Sequence, residues 1–182
     1  MQIGSTNTST INLGVSGDTV NIPSGVTIAN AGTATGFGGT NTPAFLARLS
    51  STTQSIADDT YTKIQFNTEV YDTASAYDNS SNYRFTVPSG QGGKYFIYSA
   101  VRMASSSATL TLNLRLNGSN TGFSSLKAVS GELQTITLMY SKDLSAGDYL
   151  EVYLRQQSGG SLNASGDSND TTTYFGGFKI IE

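Results

Sequence analysis

The sequence predicts an all-β fold, a sandwich or jelly roll of about eight to ten antiparallel strands. Apolar and polar residues alternate in several runs, polar Gly-rich turns separate those runs, and none of them has helical periodicity. Charged residues make up only 13% of the chain, about half the usual share, whereas 20 residues are Gly, 10 are Tyr and 8 are Phe. This composition is typical of short strands joined by many turns.

Length, charge and residue types narrow the range of functions. A chain of 182 residues suffices for one main domain and a small additional segment. The net charge of −3 offers no basic surface, so we exclude nucleic acid as a partner. The lack of Cys and His excludes disulfides and argues against a zinc site or histidine catalysis. Because there is no long apolar run, we expect no membrane insertion. Because there is no secretion signal, we expect the chain to be made in a cytoplasm.

The chain divides into a repetitive Gly/Thr/Asn-rich segment, residues 1–42, and a main domain, residues 43–182. Repeat units in the first segment begin at Ile11, Val20 and Ile28, roughly eight residues apart, and each closes on a glycine turn. Units this short cannot bury a core alone, so we expect them to stack or to wrap around partner chains. A flexible linker is the alternative. The turn glycines are Gly17, Gly25 and Gly32.

The main domain opens with two strand signals and a loop. Phe45–Leu49 predicts the first strand, and Ile64, Phe66 and Val70 indicate a second strand that contains a bend or bulge. Polar residues dominate Tyr71–Asn82, which we therefore predict as a surface loop.

The densest aromatic stretch, Tyr83–Met103, predicts two strands joined by a Pro/Gly turn. The first strand, Tyr83–Val87, alternates and has one apolar face. The second strand, Tyr95–Met103, is apolar on both faces, with Phe96 and Tyr98 on the second one. A strand of this kind should be covered on both sides, and the second cover is often another copy of the chain.

Four further strands complete the predicted domain. They are Thr109–Asn117, Leu133–Tyr140, Tyr149–Arg155 and Tyr174–Ile181. Four alternating leucines make the first of these the most regular, and Tyr149 and Tyr153 lie on the second face of the third. Residues 156–173 form a long polar loop, and loops of this length tend to be functional or mobile.

Several segments, in the same order, resemble the complement component one-q globular head, a member of the tumour-necrosis-factor-like jelly rolls. The resemblance covers about residues 44–182 and implies a jelly-roll fold that assembles as a homotrimer. The uncharged first segment is similar to repeats that precede such heads in bacteriophage tail-fibre and virion proteins. The matching segments are Ile64–Phe66, Tyr77–Asp78, Phe85–Pro88, Gly93–Ile97, Leu144–Leu150 and Phe175–Phe178.

Four aromatic residues are the candidates for the trimer interface: Phe96, Tyr98, Tyr149 and Tyr153. Aromatic side chains combine a large buried area with specific geometry, which favours them in interfaces and in cores alike. The alternative interpretation therefore places these four in the core of a single subunit, facing the second sheet.

The long polar loop holds the candidate ligand-binding residues Asn163, Asp167, Asn169 and Asp170. Some heads of the resembled family hold calcium, but the spacing here lacks the Gly and Glu of a regular calcium loop. A plain polar loop without a cofactor is therefore the preferred interpretation.

Two carboxylate pairs, Asp72 with Asp78 and Asp58 with Asp59, are candidates for glycosidase-like catalysis. Nothing in the sequence sets either pair across a cleft, so we interpret these residues as turn formers and assign no catalytic residue.

These features predict a non-enzymatic, trimeric phage virion protein, a tail fibre or receptor-binding protein. Its first segment would join other virion proteins, its head would bind a host surface glycan or protein through loops, and it would be assembled in a bacterial cytoplasm. One alternative is a capsid decoration or head-fibre protein. Another is a carboxylate-based glycan depolymerase.

Overall fold

A computed structural model describes residues 15–27, 42–104, 107–169 and 172–180. Contacts divide the chain into two units, Met1–Phe37 and Gly38–Glu182. Within these described ranges, no helix is long and apolar enough to cross a membrane.

The described part of the first unit contains two tight turns that are eight residues apart. The Asp18 N–H donates to the Val15 carbonyl, and the Val26 N–H donates to the Pro23 carbonyl. Each turn places a glycine at positive φ, 95° at position 17 and 85° at position 25, where a side chain would be strained. The two turns agree with the repeat predicted from the sequence, whose third turn, at Gly32, lies outside the described residues.

The described part of the second unit contains thirteen strands in two antiparallel sheets, which confirms the predicted all-β sandwich. The strands outnumber the predicted eight to ten because several have only two to five residues, too few for alternation to show. They are β1 (Ala44–Arg48), β2 (Thr53–Ile56), β3 (Thr62–Lys63), β4 (Thr68–Asp72), β5 (Tyr77–Asp78), β6 (Arg84–Thr86), β7 (Gly93–Met103), β8 (Thr109–Leu116), β9 (Ser119–Lys127), β10 (Gln134–Leu144), β11 (Tyr149–Gln157), β12 (Leu162–Ser165) and β13 (Tyr174–Lys179).

The two sheets have different strand orders. The seven-stranded sheet runs β2-β12-β7-β13-β1-β4, and β10 also pairs with β7. The six-stranded sheet runs β5-β6-β11-β8-β9, and β3 also pairs with β11. The long strand β7, which lies in the densest aromatic stretch of the sequence, therefore pairs with β10, β12 and β13.

An aromatic cluster from both sheets fills the core at one end. The Phe45 ring stacks on Phe85 at 4.4 Å and meets Phe175 edge-on at 5.0 Å. Phe175 also contacts the rings of Phe66 and Tyr77, at 5.7 and 6.1 Å. The alternating leucines of β8 face the same core, except that the last of them, at position 116, is only partly buried.

Two predicted loops contain strands, so those predictions were wrong. Within 156–173, β12 pairs with β2 and β7, and its Ala164 is fully buried opposite Met103. Within Tyr71–Asn82, β4 ends at Asp72 and β5 pairs with β6. The polar strand β9 was also missed. All three segments contain few apolar residues, so their own sequences do not indicate strands. They become strands because they pair with a neighbouring strand.

A buried glutamine joins the end of β11 to neighbouring segments. The Gln156 side chain is fully buried, and its Nε2 donates to the carbonyls of Ile56 and Gly160, at 3.2 and 2.7 Å. Its Oε1 accepts a hydrogen bond from the Ser158 N–H at 3.0 Å. Since buried polar groups are costly when unpaired, this amide fixes the start of the segment after β11.

Candidate functional site

The outer surface of the seven-stranded sheet carries an aromatic face made of Tyr71, Phe96, Tyr98, Tyr174 and Phe178. Along β7 the neighbouring residues at 95 and 97 are fully buried, so strand alternation turns Phe96 and Tyr98 outward. Ring centroids lie 5.6 Å apart for Phe96 and Phe178, and 6.1 Å apart for Tyr98 and Tyr174. The face is therefore a continuous set of ring contacts across two paired strands.

Glycine 176 makes room for the centre of this face. Gly176 lies opposite Tyr98 in the β13–β7 register, and a Cβ atom there would be 2.6 Å from the Tyr98 ring. A Cβ at Gly177 would lie 3.0 Å from the Phe96 carbonyl on the same neighbouring strand. The glycine pair in the terminal strand thus permits a close approach of the two strands.

The Tyr98 hydroxyl, at the centre of the aromatic face, is held in its protonated, neutral form. Burial raises the pKa of Tyr98 well above its usual range, and a hydrogen bond with Tyr71 raises it further. The two hydroxyl oxygens are 3.5 Å apart. The centre of the face is consequently uncharged, as a surface that packs against another protein requires.

An exposed methionine extends the aromatic face toward β10. Met139 lies opposite Tyr98 in the β10–β7 register, and 72% of its surface is exposed. Leu46 of β1 lies opposite Tyr71 on the other side of the face. Contiguous exposed apolar surface of this kind marks a site of protein–protein contact.

The structure does not bring the four predicted interface residues together. Tyr149 and Tyr153 belong to β11, so they lie on the outer surface of the six-stranded sheet, on the opposite side of the sandwich from the aromatic face. The Arg84 guanidinium stacks on Tyr149 at 4.3 Å, and that of Arg115 stacks on Tyr153 at 3.8 Å. Cations of the same chain thus cover these two rings, so a second copy of the chain is not needed to cover them.

The candidate ligand-binding residues lie on β12 and in the turn that follows it. Asn163 is an exposed β12 residue, and the Asp167 carboxylate accepts the Asn169 N–H at 3.0 Å within a turn. The Arg48 side chain donates to the Asp167 carbonyl. Asp170 lies outside the described residues. Where the chain is described, no three His, Cys, Asp or Glu side chains group together as a metal site would need.

The candidate carboxylates Asp72 and Asp78 each close a turn. The Asp72 carboxylate accepts the backbone N–H groups of Ala74, Ala76 and Tyr77, at 2.6 to 3.1 Å. Backbone N–H groups of Ser81 and Ser80 and the Asn82 side chain hold the pKa of Asp78 well below its usual range. A carboxylate held in this way is a stable anion and a poor proton donor.

The other candidate pair is also engaged within the chain. Asp58 accepts the N–H groups of Ser158 and Gly159, at 2.9 and 3.0 Å. Asp59 forms an ion pair with Arg155, whose Nε lies 2.8 Å from the carboxylate. All four candidate carboxylates are thus engaged by backbone N–H groups or by an arginine of their own chain.

Sequence reasoning missed three members of the aromatic face, Tyr71, Tyr174 and Phe178. Alternation of Tyr174 and Phe178 around the buried Phe175 is a signal that could have found two of them. Tyr71 carried no such signal, because only the pairing of β4 with β1 brings it to this surface.

A protein-family model described as "C1q domain" matches residues 44–180. The chain therefore belongs to the C1q domain family, and the predicted family is confirmed. No curated protein matches.

Solved structures show the same fold. The globular domain of zebrafish complement 1qA has a TM-score of 0.54 and 17% identity, covering 77% of this chain and 98% of its own. Murine APRIL has a TM-score of 0.55 and 15% identity, covering 76% of this chain and 98% of its own. Eiger TNF from S. frugiperda has a TM-score of 0.53 and 15% identity, covering 77% of this chain and 94% of its own. The predicted jelly-roll fold is confirmed.

Proposed function

We propose that this protein is a non-enzymatic, homotrimeric binding protein of a phage virion, whose jelly-roll heads bind a host surface ligand through loops. The observation that carries the proposal is the aromatic face. Five ring side chains lie together on the outside of one sheet, which is an expensive surface to leave in water.

A second and third copy of the chain would cover the aromatic face. The sheet that bears it also carries the exposed Met139, so the uncharged surface is broad as well as aromatic. The complement 1qA structure shares this fold, and the family resemblance implies a trimer. In this arrangement Phe96 and Tyr98 lie in the interface, and Tyr149 and Tyr153 lie outside it on the other sheet.

The first unit supplies the argument for a fibre or virion attachment. Its two described turns repeat at an interval of eight residues, and the large apolar side chains within and between the turns are exposed. Repeats that expose apolar residues are stabilised by stacking or by wrapping around other chains. Other virion proteins, or the same segment of two further copies, would provide those chains. The exposed residues are Val15, Val20, Ile22 and Val26.

The structural roles of the candidate carboxylates support a protein without catalytic activity. Asp58, Asp72 and Asp78 hold turns, and Asp59 forms an ion pair, so each has a structural task in the described chain. A binding role through loops agrees with this use. Three heads on one axis would let weak contacts combine into useful avidity.

Solution mass tests the trimer. We expect the full chain at micromolar concentration to elute with three times its mass of 19.1 kDa in light scattering coupled to size exclusion. A chain that stays monomeric under these conditions contradicts the proposal.

Side-chain replacement tests the binding loop. Because β12 is a strand that pairs with β2 and β7, point variants are preferable to deletion of the loop. We expect the double variant Asn163→Ala with Asn169→Ala to reduce binding of labelled protein to a susceptible strain, chosen from a panel of bacterial cells, by about tenfold. The trimer should remain intact.

Asn79→Ala is the matched control for this experiment, since Asn79 lies in the β5–β6 connection of the other sheet. Equal binding by the double variant and the control would move the ligand site away from β12. Failure of the wild-type protein to bind any strain would contradict the host-attachment role itself.

A further inference from the structure

The outer surface of the six-stranded sheet contains a groove with a volume of about 500 Å³. This outer groove is within the range of roughly 300–1,000 Å³ that is typical of small-molecule sites. Its floor comes from the outward residues of β8, since the leucines that alternate with them face the core. Its lining includes Tyr61, Thr111, Asn113, Asn120, Phe123 and Ser125.

Two aromatic rings line the outer groove. Phe123 lies on the edge strand β9, and 76% of its surface is exposed. Tyr61 comes from the connection between β2 and β3, and the guanidinium groups of Arg115 and Arg155 lie 5.4 and 5.9 Å from its ring. The cations hold the Tyr61 ring in place, whereas the exposed Phe123 ring contributes little to the core. A ring placed in this way is available to a ligand.

A buried amide forms part of the floor. Asn113 lies opposite Phe123 in the β8–β9 register and is only 2% exposed. Its Nδ2 donates to the Gly122 carbonyl and its Oδ1 accepts from the Arg115 Nε, both at 3.2 Å. Among the described residues, these bonds use one of the two amide N–H groups. Asn113 thus lines the groove with one amide N–H that has no partner among these bonds.

Besides its two aromatic rings, the lining of the outer groove offers polar groups and no charged residue. The hydroxyls of Thr111 and Ser125 and the amide of Asn120 stand beside Asn113. The lining contains no Lys or Arg. Of the two cations beside Tyr61, Arg155 pairs with Asp59 and Arg115 stacks on the Tyr153 ring. An anionic ligand would lack a dedicated cation, and a purely apolar ligand would leave the amides unpaired.

We propose that the outer groove binds a neutral oligosaccharide. A pyranose ring has an apolar face of C–H groups that packs on an aromatic ring, and hydroxyls at its edge that pair with amides and hydroxyls. Phe123 and Tyr61 supply the rings, and Asn113 and Asn120 supply the amides. The site is separate from the loop after β12 and from the aromatic face, so it does not depend on the proposed trimer or on a virion location.

The test uses the full chain and four neutral hexasaccharides, maltohexaose, cellohexaose, mannohexaose and chitohexaose, with a heparin hexasaccharide as the anionic comparison. Titration is followed by nuclear magnetic resonance of the labelled protein. We expect at least one neutral compound to bind in the millimolar range or more tightly, with shifts at β8 and β9. No binding by any neutral compound, or tighter binding of the heparin compound, overturns the proposal.

Two variants localise the binding. Phe123→Ala and Tyr61→Ala should each weaken the affinity for the neutral hexasaccharide by about tenfold or more. Aromatic contacts contribute much of such an affinity, and truncation to alanine removes them. The matched control is Val129→Ala, an exposed apolar residue in the connection between β9 and β10. Phe123→Ala should unfold at the wild-type temperature because the ring is exposed. Affinity that is unchanged in Phe123→Ala overturns the outer groove as the site.

Discussion

Phe96→Asp is expected to convert the trimer into a folded monomer. Phe96 belongs to the aromatic face, with the Tyr98 ring 6.2 Å away and the Phe178 ring 5.6 Å away. A carboxylate in that position would be buried without a partner when three copies assemble, which costs several kcal/mol for each chain. Three like charges near one axis would add repulsion. Light scattering at micromolar concentration should report the mass of one chain.

Thr86→Asp is the control for this variant. Thr86 is a β6 residue opposite Tyr149, in the six-stranded sheet that does not bear the aromatic face. The same charge there should leave the trimer unchanged. Both variants should keep the β-sheet circular dichroism of the wild type, because Phe96 points out of the core. A trimer that survives Phe96→Asp would show that this face is not the interface, and a monomer from Thr86→Asp would move the interface to the other sheet.

Phe175→Ala is expected to give the largest loss of stability among single core variants. The ring is fully buried and contacts Phe45, Phe66 and Tyr77, so it joins elements of both sheets. Truncation of a buried phenylalanine costs about 3–5 kcal/mol from lost transfer free energy and the cavity left behind. Domains of this size have roughly 5–15 kcal/mol in total, so most of the variant should unfold at low urea. Urea titration followed by circular dichroism gives the free energy of unfolding.

Phe123→Ala makes the same substitution at an exposed position and is the control for the loss of stability in Phe175→Ala. Since the Phe123 ring is mostly exposed, its removal should change the free energy of unfolding by less than about 0.5 kcal/mol. Both proteins must be measured at one concentration, because assembly adds to apparent stability. Equal losses at positions 175 and 123 would contradict the placement of the core.

Strand alternation was sufficient to place side chains on the two faces of β7. Residues two apart in a strand always share a face, so Tyr95 and Ile97 could be placed inward and Phe96 outward without knowledge of any partner. The same local rule found most of the long strands. It could not find β2, β9 or β12, because their polar sequences form strands only when a neighbouring edge supplies hydrogen bonds.

For the candidate sites too, the sequence indicated the local orientation of side chains, and only the structure brought distant residues together. The sequence indicated that Phe96 and Tyr149 both lie on second faces, but it gave no information about which sheet each strand joins. The structure assigns β7 to one sheet and β11 to the other, so the two residues lie on opposite sides of the sandwich. The outer groove had no signal in the sequence, because Tyr61 and Asn113 are far apart in the chain and meet only through the packing of a connection on β8.

By itself, the sequence determined the all-β class, the C1q family, the outward position of Phe96 and Tyr98, and the eight-residue spacing of the glycine turns. The family follows from the resemblance of several motifs in the same order, whereas the other three properties depend on local geometry, that is, the two-residue period of a strand and the φ angles that glycine permits. Only the tertiary structure decided the strand order, the close fit of Tyr98 on Gly176 and the shape of the outer groove. Each of these depends on contacts between distant segments, which no local pattern encodes.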